Sequence, residues 1–305
     1  GLQSAGNAGE FYTPRAVTQF MTEMTNPQLG QTVLDPACGT GGFLACAINH
    51  MKKQVTNPTE EQQLQKGIIG WEKKQLPHIL CTTNMILHGL DVPNIQHLIA
   101  GSLAKPLNSY GKNDKVDVIL TNPPFGGMEE DGIENNFPAD VRTKETADLF
   151  LVLIMKLLKD GGKCAMVLPD GALFGEGVKT RIKEKLLTEC NLHTIVRLPK
   201  SVFAPYTSIN TNLLFFEKGR PTTATWFYRL DMPEGVKAFN KTNPMTIEHF
   251  AEVKEWWNNK QEIQQDGFDK AKQYTLDELK TRNFNLDLCG YPTVEEEILE
   301  PKELI

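Results

Sequence analysis

The chain has 305 residues, 40% of them hydrophobic and 23% charged, with a formal net charge of −6. That length buries a core large enough for one substantial α/β domain, with or without an appendage. The acidic balance excludes a protein that clings to phosphates through bulk charge alone, so a grip on nucleic acid would call for help from another chain. No apolar run reaches the roughly 18 to 20 residues of a membrane span and no signal peptide opens the chain, so the expected location is cytoplasmic. Gly1 stands where an initiator Met would, with a motif close behind it, and the expectation is a processed protein or a fragment lacking an upstream domain. The six cysteines, at 38, 46, 81, 164, 190 and 289, form no CxxC pair, which predicts reduced, mostly buried thiols rather than a zinc site.

In chain order, short β-rich apolar runs alternate with amphipathic stretches, the pattern of a parallel sheet wrapped by helices. Strands are predicted at Thr32–Leu34, Ile68–Trp71, His97–Ala100, Val116–Thr121, Lys163–Leu168, Thr194–Leu198, Asn212–Glu217 and Thr225–Arg229. Helices are predicted at Gly42–Lys53, Gln75–His88, Asp148–Lys159 and Gly177–Glu189, each with apolar residues at three and four spacing. Residues 126–147 are polar and aperiodic, which predicts a mobile lid or substrate loop. The division expected is residues 1–240 as the main domain and 241–305 as a helical extension outside the sheet, a subunit contact ending in the acidic amphipathic Val294–Ile305.

The first chemical motif is Val33-Leu34-Asp35-Pro36-Ala37-Cys38-Gly39-Thr40-Gly41-Gly42-Phe43-Leu44. A strand stops at an acidic residue, turns through glycines and opens a helix, whose unpaired N–H groups suit an anionic ligand group. An ordinary tight turn is the plainer alternative. A dinucleotide fingerprint wants a third glycine where Leu44 stands, and a Walker loop wants a Gly-Lys-Ser/Thr that does not follow.

The second motif is Asp117-Val118-Ile119-Leu120-Thr121-Asn122-Pro123-Pro124-Phe125, a buried strand running into Asn-Pro-Pro-aromatic. The prolines fix the backbone and lack N–H groups, so the carbonyls around them are rigidly aimed acceptors. The Asn122 side-chain oxygen and the Pro123 carbonyl suit the two hydrogens of an exocyclic NH₂. Such acceptors keep the nitrogen lone pair localised and oppose the positive charge that develops as the amine attacks, which is electrostatic preorganisation. Phe125 is placed to stack on a planar base, worth about 1 to 3 kcal/mol in nucleic-acid sites.

These two motifs in this order resemble the amino-methyltransferases that use S-adenosylmethionine. Gly9-Glu10-Phe11-Tyr12-Thr13-Pro14-Arg15 is similar to their N-terminal cofactor motif, and its position before the glycine turn is the order of the gamma class. With Thr207-Ser208-Ile209-Asn210-Thr211-Asn212 and Phe284-Asn285-Leu286-Asp287, the chain resembles the modification subunit of type I restriction–modification systems, a gamma-class N6-adenine DNA methyltransferase. The resemblance implies a Rossmann-like methyltransferase fold with a doubly wound, mostly parallel sheet. It makes Glu10, Phe11, Tyr12, Thr13, Pro14 and Arg15 a wall of the S-adenosylmethionine site, and Asp35, Ala37, Cys38, Gly39, Thr40 and Gly41 the loop beneath the methionine part. Glu72 falls where the ribose hydroxyls are held. Asn122, Pro123, Pro124 and Phe125 become the catalytic group, and no metal is implied. At the end of the third strand, Gly101-Ser102-Leu103 stands where many relatives carry an acidic residue.

The implied reaction is methyl transfer to N6 of an adenine flipped out of double-stranded DNA. The implied partners are a DNA specificity subunit, a restriction (nuclease) subunit and a second modification subunit. Methylation of a protein glutamine, of guanine N2 in RNA, and a cofactor-binding scaffold are the alternatives. Among residues the motifs leave over, His78, His88 and His97 are spaced for structural roles, Trp256-Trp257 for packing on the core, and Lys179, Arg181, Lys183 and Lys185 for a solvated face.

Overall fold

The computed structural model describes residues 12–290 apart from 126 and 205. Glu10, Phe11 and Val294–Ile305 therefore lie outside the described residues. In chain order the elements are α1 (Arg15–Thr25), β1 (Val33–Asp35), α2 (Gly42–Lys52), α3 (Pro58–Lys66), β2 (Ile68–Glu72), α4 (Gln75–Leu87), β3 (Asn94–His97) and β4 (Val116–Thr121). There follow α5 (Thr146–Leu157), β5 (Leu158–Pro169), α6 (Asp170–Leu173), α7 (Val178–Glu189), β6 (Cys190–Arg197), β7 (Thr211–Lys218) and β8 (Ala224–Arg229). The last are α8 (Ala251–Asn258), β9 (Ile263–Gln265), β10 (Phe268–Thr275) and α9 (Leu276–Thr281).

The strands make one sheet in the order β3-β2-β1-β4-β5-β7-β6-β8-β10-β9. β1 pairs in parallel with β2 and β4, β2 with β3, β4 with β5, and β6 with β8. β7 runs antiparallel between β5 and β6. Strands buried on both faces read as unbroken apolar runs, and Val118-Ile119-Leu120 in β4 is such a run, with all three residues fully buried. α1 packs on α2 and α5 on α7, supplying the helical cover that a parallel sheet needs. The strand order reverses at β1, where β2 and β4 flank it on either side, and the crevice at the carboxyl ends of the strands there is where a doubly wound sheet binds ligands. No described helix is long and apolar enough to cross a membrane.

Three sequence-based expectations need correction. The third strand is Asn94–His97 rather than His97–Ala100, because its register is set by Glu72 pairing with His97 at the end of β2. The region after residue 240 does not stand outside the sheet: β10 pairs antiparallel with β8, from Ala271 opposite Tyr228 to Thr275 opposite Ala224. It also shares the core, since Phe250 stacks on Phe20 of α1 with centroids 4.2 Å apart and planes at 12°. The basic cluster of α7 is a solvated face only in part: Arg181 is exposed, whereas Lys183 and Lys179 turn inward. Lys183 is 2% exposed and donates to the Leu173 carbonyl at 3.0 Å, and Lys179 pairs with Asp148 and Glu145, both at 2.6 Å.

Residues 127–147, within the segment expected as a lid or substrate loop, carry local structure. Short 3₁₀ turns form at Ile133–Asn136 and Ala139–Val141, Phe137 and Val141 are buried, and Asn136 donates to the Leu103 carbonyl at 3.0 Å. Trp256 is buried and Trp257 packs edge-on to Phe215 with centroids 4.8 Å apart, so both serve the core as expected. All six cysteines are free thiols.

Candidate active site

Two motifs far apart in sequence meet because β1 and β4 are neighbours. Asp35 ends β1 and is 1% exposed, and its Oδ1 accepts the Ala37 N–H at 3.0 Å and the Thr121 hydroxyl at 2.7 Å. Burial pushes the Asp35 carboxyl up to about 7 against the pull of those two hydrogen bonds, with the charge of Glu72 adding to the rise. The turn that follows holds Gly39 at φ +54 and Gly41 at φ +94, and Gly41 caps α2 without a side-chain partner for its first N–H groups.

The two glycines differ in surroundings. A Cβ on Gly41 would meet Cys81 Sγ at 2.8 Å and Met85 Cε at 3.0 Å, so α4 packs directly against the turn. A Cβ on Gly39 would meet nothing within 4 Å, which leaves open space over the backbone there. Glu72 holds the turn from β2: its Oε1 accepts the Gly39 N–H at 3.1 Å and its Oε2 the Lys74 N–H at 2.6 Å. Cys38 donates its N–H to the Trp71 carbonyl at 2.9 Å, and a hydrogen bond to Cys81, with burial, holds its thiol well above the ordinary range, which makes it inert packing. The Thr40 carbonyl accepts from Asn84 Nδ2 at 3.2 Å. Ser102 is buried and donates to the Pro36 carbonyl at 2.5 Å, so its side chain braces the turn.

At the carboxyl end of β4, Asn122 donates from Nδ2 to Thr13 Oγ1 at 3.0 Å. Its Oδ1 is buried and has no hydrogen-bond partner. Among the described residues one other buried side-chain atom is in that condition, Trp71 Nε1, at the carboxyl end of β2 beside Glu72. A buried polar atom left unpaired costs about 1 to 3 kcal/mol, so such atoms mark places where a ligand completes the site. Pro123 is buried and Pro124 half-buried.

Phe125 is 1% exposed, with its ring edge-on to Phe203 at 6.2 Å between centroids. A base stacks on it only when the side chains that cover the ring move aside. Tyr12 is 60% exposed, and Arg15 lines a separate cleft of about 110 Å³ between α1 and α2 with Glu23 and His50. The structure thus brings Thr13, Asp35 to Gly41, Glu72 and Asn122 together at one edge of the sheet, and places the Arg15 side chain elsewhere.

The motifs Thr207–Asn212 and Phe284–Asp287 meet at a residue that sequence reading passed over. Arg197, 7% exposed at the end of β6, donates from Nε to Asn212 Oδ1 at 3.1 Å, and its Nη2 contacts Asp170 Oδ1 at 3.1 Å and Asp287 Oδ1. Asn212 Nδ2 returns to Asp170 Oδ1 at 2.7 Å. Nothing in the local pattern around Arg197 marks it, since its partners arrive from the start of α6, from β7 and from the segment after α9. The histidines bond backbone carbonyls: His78 Nε2 lies 2.7 Å from Ile95 O and His97 Nε2 3.0 Å from Lys73 O.

The sequence profile of the N-6 DNA Methylase family matches residues 2–299. The chain belongs to the N-6 DNA Methylase family. It is 56% identical over 308 aligned positions to the EcoEI methylase subunit, a type I restriction enzyme component of Escherichia coli, covering 100% of this chain and 62% of that one. Identity to the EcoKI methylase subunit of Escherichia coli K12 is 33% over 263 positions, covering 81% of this chain and 49% of that one. The crystal structure of a modification subunit from Vibrio vulnificus YJ016 superposes with a TM-score of 0.83 at 49% identity, over 91% of this chain and 57% of that one. The EcoKI M protein structure gives 0.76 at 26% identity, over 91% of this chain and 65% of that one. The fold is the Rossmann-like fold of S-adenosylmethionine-dependent methyltransferases. The chain spans about half to two thirds of the length of these relatives.

Proposed function

We propose that this chain transfers a methyl group from S-adenosylmethionine to the N6 amino group of adenine in DNA, as the catalytic part of a type I modification subunit. The observation that carries the reading is the buried, unpartnered Asn122 Oδ1 beside the glycine turn. The turn suits the cofactor: open space lies over Gly39, the first N–H groups of α2 are available to a carboxylate, and the Glu72 carboxylate stands at the end of β2 beside the turn, an acceptor of the kind ribose hydroxyls need.

When bound, S-adenosylmethionine supplies an electrophilic sulfonium methyl. Asn122 Oδ1 and the Pro123 carbonyl accept the two N–H hydrogens of the target amine, which localises the nitrogen lone pair and opposes the charge that grows on it during attack. As the N–C bond forms the S–CH₃ bond breaks, leaving a neutral thioether, and the surplus proton on nitrogen is lost to solvent. Adenine in a duplex has N6 engaged in pairing, so the base is flipped into the site, and Phe125 stacks on it after its covering side chains shift. The names of the relatives support a type I assembly, in which a specificity subunit supplies the DNA grip that a chain of net charge −6 lacks, with a nuclease subunit and a second modification subunit as further partners.

The test is to incubate the chain, with and without a specificity subunit, with methyl-labelled cofactor and unmethylated DNA, then digest to nucleosides. N6-methyladenine that disappears in Asn122→Ala supports the proposal. Label in protein or RNA, or cofactor binding without transfer to any substrate, overturns it.

A further inference from the structure

An asparagine amide has two faces of opposite chemistry, and only one serves an amine substrate. With Oδ1 toward the target nitrogen, Asn122 accepts a hydrogen. Turned over, it presents N–H donors to N–H donors and stabilises nothing. The partner on the far side of the amide is Thr13, whose Oγ1 lies 3.0 Å from Nδ2 while Oδ1 stays buried and unpaired, so the orientation that offers the amine an acceptor is also one that Thr13 satisfies.

We infer that Thr13 is a positioning residue: by accepting the Asn122 Nδ2–H it holds Oδ1 toward the amino group to be methylated. The inference rests on the methyl-transfer reading and reassigns Thr13 from wall of the cofactor site to support of the acceptor. Thr13 is itself well anchored. It precedes Pro14, whose ring sets φ at −55° and whose carbonyl accepts the N–H groups of Val17 and Thr18 at the start of α1. α1 is held in turn by Phe20, stacked on Phe250 and edge-on to Phe215 at 6.0 Å. A threonine hydroxyl can also donate, so with no substrate it tolerates either amide orientation. The amine decides between them, because only the observed one offers it an acceptor, and the hydroxyl then costs nothing to satisfy. A methyl group at the same place supports neither, leaving the amide without its partner.

The full chain with its specificity subunit is assayed with unmethylated DNA and S-adenosylmethionine as wild type, Thr13→Val, Thr13→Ser, Asn122→Ala and the Thr13→Val/Asn122→Ala double variant. Loss of one orienting hydrogen bond is expected to lower kcat for Thr13→Val roughly tenfold. Cofactor affinity, read by calorimetry, and KM for DNA stay within about twofold. Thr13→Ser recovers most of the rate, and the double variant is no slower than Asn122→Ala, as residues acting through one atom are not additive. Calorimetric cofactor binding shows that each variant is folded. An unchanged kcat in Thr13→Val overturns the inference, as does weakened cofactor binding with full rate at saturation, which returns the hydroxyl to the cofactor. Asn122→Ala equal to wild type overturns the methyl-transfer reading, and this inference with it.

Discussion

The Thr121 hydroxyl donates to Asp35 Oδ1 across 2.7 Å, tying the strand that ends in the glycine turn to the strand that ends in Asn-Pro-Pro-Phe. Both partners are at most 1% exposed, so the contact fixes the two loops relative to each other from inside the sheet. It also places a carboxyl group where burial opposes ionisation.

Stability should therefore depend on Asp35. The folded state keeps its proton up to about pH 7, whereas an unfolded aspartate releases it near 3.8. Between those values the folded state binds more protons, so stability falls as pH rises through that window and levels off above it. The span corresponds to about 4 kcal/mol at most. Urea unfolding of Asp35→Asn at pH 5 and pH 8 should show a smaller decline than wild type, and equal declines would mean that the carboxyl ionises freely.

The neighbouring glycines should respond differently to the same change. Gly41→Ala places a Cβ 2.8 Å from Cys81 Sγ at φ +94 and should lose about 1 to 3 kcal/mol by thermal unfolding. Gly39→Ala meets nothing within 4 Å, so only the strain of a side chain at φ +54 counts against it, about 1 to 2 kcal/mol. Because its methyl fills the space over the turn, its cofactor affinity should nonetheless drop. Tight cofactor binding by Gly39→Ala would place the ligand elsewhere.

Truncating Arg197 should cost stability. Arg197→Ala leaves Asp170 and Asp287 without their cation, and because both carboxylates keep some contact with solvent the loss should be about 1 to 3 kcal/mol, less than for a fully buried pair. Denaturant titration of that variant against Arg197→Ala/Asp287→Asn should show the double variant recovering part of the loss. A lone Arg197→Ala that unfolds like wild type would mean the cluster contributes no stability.

The segment after residue 240 should be inseparable from the rest. Phe250 is fully buried against Phe20, so Phe250→Ala should cost about 3 to 5 kcal/mol. A chain ending at residue 240 should show no cooperative thermal transition, since β8 loses its β10 partner and Phe20 its cover. Cooperative unfolding of that shortened chain would make the segment a true appendage.

Read alone, the sequence determined the alternation of strands and helices, the glycine turn after Asp35 and the Asn-Pro-Pro-Phe edge, because each is written in consecutive residues: buried strands as apolar runs, turns as glycine and proline chemistry. It also located Glu72, which closes a strand. Tertiary structure alone decided what lies between such segments. β10 carries exposed polar residues and reads as no strand until β8 offers an edge, and Lys183 sits on a helix face that looks solvated until the Leu173 carbonyl meets it. The meetings of Thr13 with Asn122, Thr121 with Asp35 and Arg197 with Asp287 span 109, 86 and 90 positions. Pairing at that range is set by strand order and packing, which no local pattern encodes.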